Sequence, residues 1–145
     1  VSLKQLSNVI SPATPGDAAR YDNLRDHFAD VPDVFAIVLL SNDGLAKCGY
    51  GLAQDEVQMI AAACSGLASL GKGLSGPVNG GQVTHTNVTL EHAHVIVTAC
   101  GEGSSLVAYV KSDGAIGASI RETVRVARAF GRQMGTDNRP DTRTP

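Results

Sequence analysis

Residues Val34 to Ser41 read VFAIVLLS, apolar at odd and even positions alike. Successive side chains of a strand point to opposite faces, so a strand with no polar side has to be covered on both. Any fold that contains this segment therefore needs a sheet flanked by helices on each face. The 145-residue length suits one domain. A domain of that size buries about 68–70% of its unfolded surface without disulfides or metals.

Cys48, Cys64 and Cys100 form an odd set with no CxxC pair, each in an apolar or small-residue stretch. That pattern reads as reduced, buried thiols and a cytoplasmic location. No basic and then apolar leader follows Val1. The longest apolar run, Val34 to Leu40, is far short of the roughly 20 residues that span a bilayer, so neither export nor membrane insertion is expected. Twelve basic against fourteen acidic side chains leave the molecule without the positive field of a nucleic-acid binder.

Around the strand the chain divides readily. Residues 1–16 hold two prolines, a glycine and scattered polar residues, and read as a flexible or loosely docked arm outside the core. Asp17 is placed to cap a helix running to about Ala29, with Leu24 and Phe28 on one face and Pro32 barring continuation. Ser41-Asn42-Asp43-Gly44 carries the Asp-Gly signal of a tight hairpin, returning the chain over Leu45 to Gly49. A long helix follows from about Gln54 to Ser75, with Asp55 and Glu56 at its positive end and Pro77, Gly80 and Gly81 beyond it. Three strands come next, near Gln82–Leu90, Ala93–Cys100 and Ser104–Lys111. Their short connectors permit only antiparallel hairpins. Ser112 or Asp113 then caps a last helix ending near Gly135, and residues 136–145 are expected to be disordered.

The long helix is the most informative element. On a wheel of 100° per residue, Val57, Ile60, Ala61, Cys64, Leu67, Ala68, Gly71 and Leu74 fall on the arc expected to face the sheet. The other arc lacks the Lys, Glu and Arg of a surface helix: Val57 to Gly71, fifteen residues, contain no charge. Ala62, Gly66, Ser69 and Gly73 instead recur there at spacings of four, three and four. A row of small residues lets another backbone come close, although each glycine costs about 1 kcal/mol relative to alanine in a helix. Cover by the N-terminal arm or another element of the same chain, and cover by a second copy across a two-fold axis, both satisfy that row. His85 and Asn87, in the polar strand QVTHTNVTL, fit an edge strand that pairs across the same axis and equally one that is merely solvated.

Several motifs resemble chemistry without supplying it. GLASLGKG at Gly66–Gly73 and GKGLSG at Gly71–Gly76 imitate phosphate-binding loops. Such loops need glycines between a strand and a helix start, whereas these lie inside a helix, and Gly73 replaces the metal-binding hydroxyl. His92-Ala93-His94, with His85 nearby, has no completing cysteine or carboxylate, so no metal or other cofactor is expected. Asn87-Val88-Thr89 matches a glycosylation sequon that a cytoplasmic strand would not present to the modifying enzymes. No nucleophile, base or acid pair stands in a recognisable context, and the chain is read as a non-enzyme. In the last helix, Arg121, Arg125, Arg128 and Arg132 share an arc opposite Ile116, Ile120, Val124, Ala127 and Met134. A solvated face and a docking site for an acidic partner both fit that stripe.

The order helix, hairpin, long helix, three-stranded meander and helix coincides with AIVLLSNDGL at Ala36–Leu45, AAACSGLASLGKG at Ala61–Gly73 and VIVTACGEGSSLVAYV at Val95–Val110. Together these resemble the Roadblock, or dynein light-chain type, domain in its bacterial branch, over residues 17–135. The resemblance implies a profilin-like α+β fold: a five-stranded antiparallel sheet in the order 2-1-5-4-3, the long helix on one face and two helices on the other. It also implies a homodimer formed through the long helix and third strand. A small Ras-like GTPase is the implied partner, regulated or scaffolded without catalysis, in some cases beside a separate sensor kinase. A small-ligand sensor module on a similar sheet is the alternative.

Overall fold

The structure, a computed structural model, describes residues 2–101, 103–113 and 115–138, the last five by backbone alone. Its elements are α1 (Pro15–Ala29), β1 (Val34–Ser41), β2 (Ala46–Tyr50), α2 (Gln54–Ser75), β3 (His85–Thr89), β4 (Ala93–Ala99), β5 (Ser104–Lys111) and α3 (Ile116–Asn138). The strands form one antiparallel sheet in the order β2-β1-β5-β4-β3. This is the expected α+β architecture.

β1 sits inside the sheet between β2 and β5, and its side chains alternate as its sequence requires. Ile37 and Leu39 enter a cluster with Tyr21, Leu24 and Phe28 of α1 and Val126, Ala127 and Phe130 of α3. Val38 and Leu40 enter the opposite cluster with Val57, Ala61 and Cys64 of α2. The Asp43-Gly44 turn closes the first hairpin with Gly44 at φ 82°, where a side chain would be strained. β2 starts one residue later than expected, because the register of β1 against it shifts between Leu39 and Leu40.

The helix ends differ from expectation for local reasons. α1 is capped by Thr14, whose Oγ1 accepts from the Asp17 amide at 3.0 Å, with Pro15 in the first turn. Asp17 therefore stands inside the first turn, where it pairs with Arg20 at 3.2 Å. α2 starts at Gln54 although its cap, Ala53, has no side-chain acceptor. Glu56 Oε1 reaches back to the Ala53 amide at 2.8 Å and supplies half of a capping box.

α3 begins past Ser112 and Asp113: the Ala115 carbonyl accepts its first bond, from the Ser119 amide at 3.1 Å. Its buried stripe is Ser119, Thr123, Val126, Ala127 and Phe130, turned about 60° from the arc read off the sequence. Ile116, Ile120 and Val124 are half-buried on its flank. Two hydroxyl residues face inward, and one has a clear reason: Ser119 Oγ donates to the Pro32 carbonyl at 2.8 Å. The Met134 side chain, and residues 139–145 of the expected disordered tail, lie outside the described residues; 136–138 continue α3.

The N-terminal arm is not outside the core. Leu3 is 4% exposed and joins the cluster beneath α1, with Leu6 packed on it. Arg25 Nη1 donates to the Leu6 carbonyl at 3.0 Å, and the Val9 amide donates to the Gly49 carbonyl at 2.9 Å. Val9 and Ile10 pack against the cluster under α2. The arm thus passes along the β2 edge from one layer to the other.

Candidate interaction surface

α2 meets the sheet through only part of its length. Val57, Ala61 and Cys64 are buried, Ile60, Leu67 and Gly71 half-buried, and Ala68 and Leu74 exposed. Leu74, expected to face the sheet, is 77% exposed. The segment after α2 explains this. Val83 folds back beneath the helix so closely that a methyl group on Gly71 would stand 2.6 Å from its Cγ2. That insertion shortens β3 to His85–Thr89, and a cleft of about 680 Å³ lies between α2, β3 and β4. Ser65, Lys72, Gln82, Thr84 and Thr98 are among its walls.

The outer face of α2 is open. Ala62, Gly66, Ser69 and Gly73 are all exposed, and a methyl group on Gly66 or Gly73 would meet nothing within 4 Å. The arm, which could have covered this row, lies along β2 instead. Beside the row stand Met59 and Leu70, 69% and 66% exposed. They were missed as surface residues, yet their separation of eleven, three helical turns, places them on one stripe. Leu74, about 60° round the helix from Met59, completes an apolar ridge on α2, and Val78 beyond the helix end is exposed as well.

His85 and Asn87 are exposed on the outermost strand, but not beside that ridge. Val88 packs into the cluster under α2, so strand alternation sends His85, Asn87 and Thr89 to the other sheet face. The β3 side chains turned to the α2 side are Thr86 and Val88, and His85 borders the cleft at the start of the strand. The β3 edge faces no further strand among the described residues.

Arg121, Arg125, Arg128 and Arg132 are all exposed on α3. Arg125 grips Glu122 with two bonds, Nε at 3.0 Å and a terminal nitrogen at 2.8 Å. The bond to Arg125 holds the Glu122 carboxyl below its ordinary range, with Arg125 and Arg121 charges adding to it. The stripe is thus partly neutralised from within. Gly66, Gly71 and Gly73 lie inside α2, so no phosphate-binding loop exists there. Among the described residues no three His, Cys, Asp or Glu side chains gather as metal ligands, and no helix is long and apolar enough to cross a membrane.

A family model described as the Roadblock/LC7 domain matches residues 20–109. Among curated proteins, none matches. A solved Roadblock/LC7 domain from Streptomyces avermitilis is 28% identical, with TM-score 0.68 over 75% of this chain and 92% of that one. The gliding protein MglB from Thermus thermophilus is 14% identical, with TM-score 0.72 over 85% and 96%. A second MglB structure, described by its tetrameric arrangement, gives TM-score 0.71 at 14% identity over 85% and 96%.

Proposed function

The chain belongs to the Roadblock/LC7 domain family, and on that premise we propose that it is a homodimeric, non-catalytic regulator or scaffold of a small Ras-like GTPase in bacterial signalling. The observation that carries this reading is the open face of α2. Gly71 has an internal reason, Val83, but Gly66 and Gly73 meet nothing in their own chain. Two helix-weakening glycines beside exposed Met59 and Leu70 are what a second α2 crossing at close range would use. The β3 edge extends that contact by strand pairing. The tetrameric arrangement of one MglB is in keeping with self-association in this fold.

The GTPase then docks on the assembled dimer in the cytoplasm. No described residue is assigned as an arginine finger, and any acceleration of hydrolysis then works by arranging the GTPase's own site. Arg121 and Arg128 are the cations offered to an acidic partner surface. A sensor kinase, where one takes part, is a separate chain.

The deciding experiment measures oligomeric mass and GTPase binding for the wild type and Gly66→Arg. A wild-type dimer, a folded monomeric variant and binding that depends on the bound nucleotide are expected. An unchanged dimer in the variant rejects the α2 face; equal binding to both nucleotide states leaves a scaffold only, and no binding removes the GTPase. The alternative, a small-ligand sensor module, draws on the 680 Å³ cleft, which is of ligand-binding size. A small molecule retained through purification, with no GTPase binding, would favour it.

A further inference from the structure

β2 is an edge strand, and an edge strand offers unpaired backbone groups to any extended chain. Here the chain covers part of that edge itself. Gly49 gives its amide to Asn8 Oδ1 at 2.9 Å and its carbonyl to the Val9 amide at 2.9 Å. A methyl group on Gly49 would stand 3.4 Å from Val9 Cγ2 and 2.8 Å from Val57 Cγ2. Gly49 is thus a notch in the edge, seated over Val57, into which one aliphatic side chain fits. Two residue positions away along the arm, the Leu6 carbonyl is held by Arg25, itself 5.7 Å over the Tyr50 ring.

The arm makes these contacts imperfectly. Asn8 Oδ1 accepts from both the Gly49 and the Ile10 amides, at 2.9 and 3.0 Å, which fixes the orientation of its amide group. Its Nδ2 is thereby turned into a buried position with no hydrogen-bond partner. A buried donor left unpaired opposes the docked state. Between the arm and α1, residues 11–14 are exposed, so the arm can leave by giving up Leu3 and Leu6 in one layer and Val9 and Ile10 at the margin of the other.

We propose that residues 2–10 form a displaceable strap on the β2 edge, and that this edge is a docking site for an extended peptide segment of a partner protein, added as a sixth strand when the strap leaves. The incoming segment needs a backbone amide for the Gly49 carbonyl, an acceptor for the Gly49 amide, a valine or isoleucine over the Gly49 notch and a carbonyl for Arg25. The strap supplies all four, and so acts as an internal competitor. The site lies at the opposite end of the sheet from β3, so it works independently of assembly through α2 and β3.

Amide exchange on the full wild-type chain tests the strap. The Gly49 amide is expected to exchange at least about tenfold faster than the Val107 amide at the sheet centre, through local release of the arm; equal rates would show that the arm leaves only with global unfolding and would overturn the proposal. Docking is tested with a fluorescent peptide of residues 2–11. If the strap is closed in nine molecules of ten, opening it tightens peptide binding about tenfold. Full-length Asn8→Ala/Val9→Pro should therefore bind the peptide about tenfold more tightly than the wild type. Equal binding, or none to either, overturns the docking site. Should that variant not fold, Val9→Pro alone, which removes the amide bonded to the Gly49 carbonyl and leaves the β2 edge and Arg25 intact, carries the same comparison.

Discussion

Gly131 of α3 and Gly101 after β4 meet backbone to backbone: a methyl group on Gly131 would stand 2.8 Å from the Cys100 carbonyl carbon and the Gly101 Cα. Gly101 also holds φ 73°, a conformation that side chains resist. This contact sets how closely α3 lies on the sheet, and Cys100 Sγ, 3.3 Å from the Ala127 carbonyl, packs beside it. Gly131→Ala has no flexible side chain to push aside, so backbone must shift. A loss of about 1–3 kcal/mol is expected, read as a fall of roughly 3–10 °C in Tm. An unchanged melting curve would mean that α3 can lift away without cost.

The strands and the helix count were legible because they rest on periodicity and turn chemistry. VFAIVLLS could only be a doubly covered strand, and Asp43-Gly44 could only turn. The failures lie where one tertiary contact overrides a local pattern. Nothing near Gly71 announces that Val83 will fold beneath it, so the pattern alone puts Leu74 on the sheet and makes β3 too long. α3 looked apolar along Ile116, Ile120 and Val124, but hydrogen bonding by Ser119 and the Gly131 contact rotate the helix. The arm looked loose because Leu3, Leu6 and Val9 are separated by polar residues, and only the folded edge of β2 shows what they grip. Of the residues expected at an interface, the α2 row is together on one open face, while His85 and Asn87 share only the strand, and alternation turns them to the opposite sheet face.

The glycines of α2 are not equivalent, and their substitution separates internal from external packing. Gly71→Ala places a methyl group 2.6 Å from Val83 Cγ2 and should lower stability by about 1 kcal/mol or more, because the crowding outweighs the helix-propensity gain. Adding Val83→Ala should recover part of that loss, a coupling that a double-mutant cycle detects. Gly73→Ala meets open space within the protomer. In a monomeric Gly66→Arg background it should raise stability by about 0.5–1 kcal/mol in urea unfolding. Stabilisation by Gly71→Ala would refute the Val83 contact.

Cys48 and Cys100 lie in the cluster beneath α1 and α3, and burial pushes both thiols up to about 12. In the unfolded chain a thiol ionises near pH 8.5. Between those values the native state keeps protons that the unfolded state has released, so the unfolding free energy falls as pH rises. Each thiol contributes a slope of at most about 1.4 kcal/mol per pH unit, fading out below about pH 8. Urea midpoints measured from pH 7.5 to 10 should hold steady and then decline. Cys48→Ala/Cys100→Ala, though less stable at neutral pH, should show a visibly shallower decline; an identical slope would place the titrating groups elsewhere. Both native thiols should also resist a thiol reagent at pH 7.5, since a buried thiol is neither ionised nor accessible.

Arg121 and Arg128 separate a solvated face from a docking face. Arg125 is engaged by Glu122 at 2.8 Å, so its removal also releases a carboxylate and confuses the result. Arg121→Glu/Arg128→Glu leaves that pair in place and reverses two exposed charges. If α3 faces an acidic GTPase surface, the association rate should fall about tenfold or more at low salt, and the difference from the wild type should shrink as ionic strength rises. Dissociation should change much less, because rim charges steer encounter more than they hold the complex. Folding should be untouched, since exposed side chains of this kind shift stability by no more than about 0.5 kcal/mol. Equal association rates at low salt would assign Arg121 and Arg128 to solvent and move the proposed GTPase contact away from this face of α3.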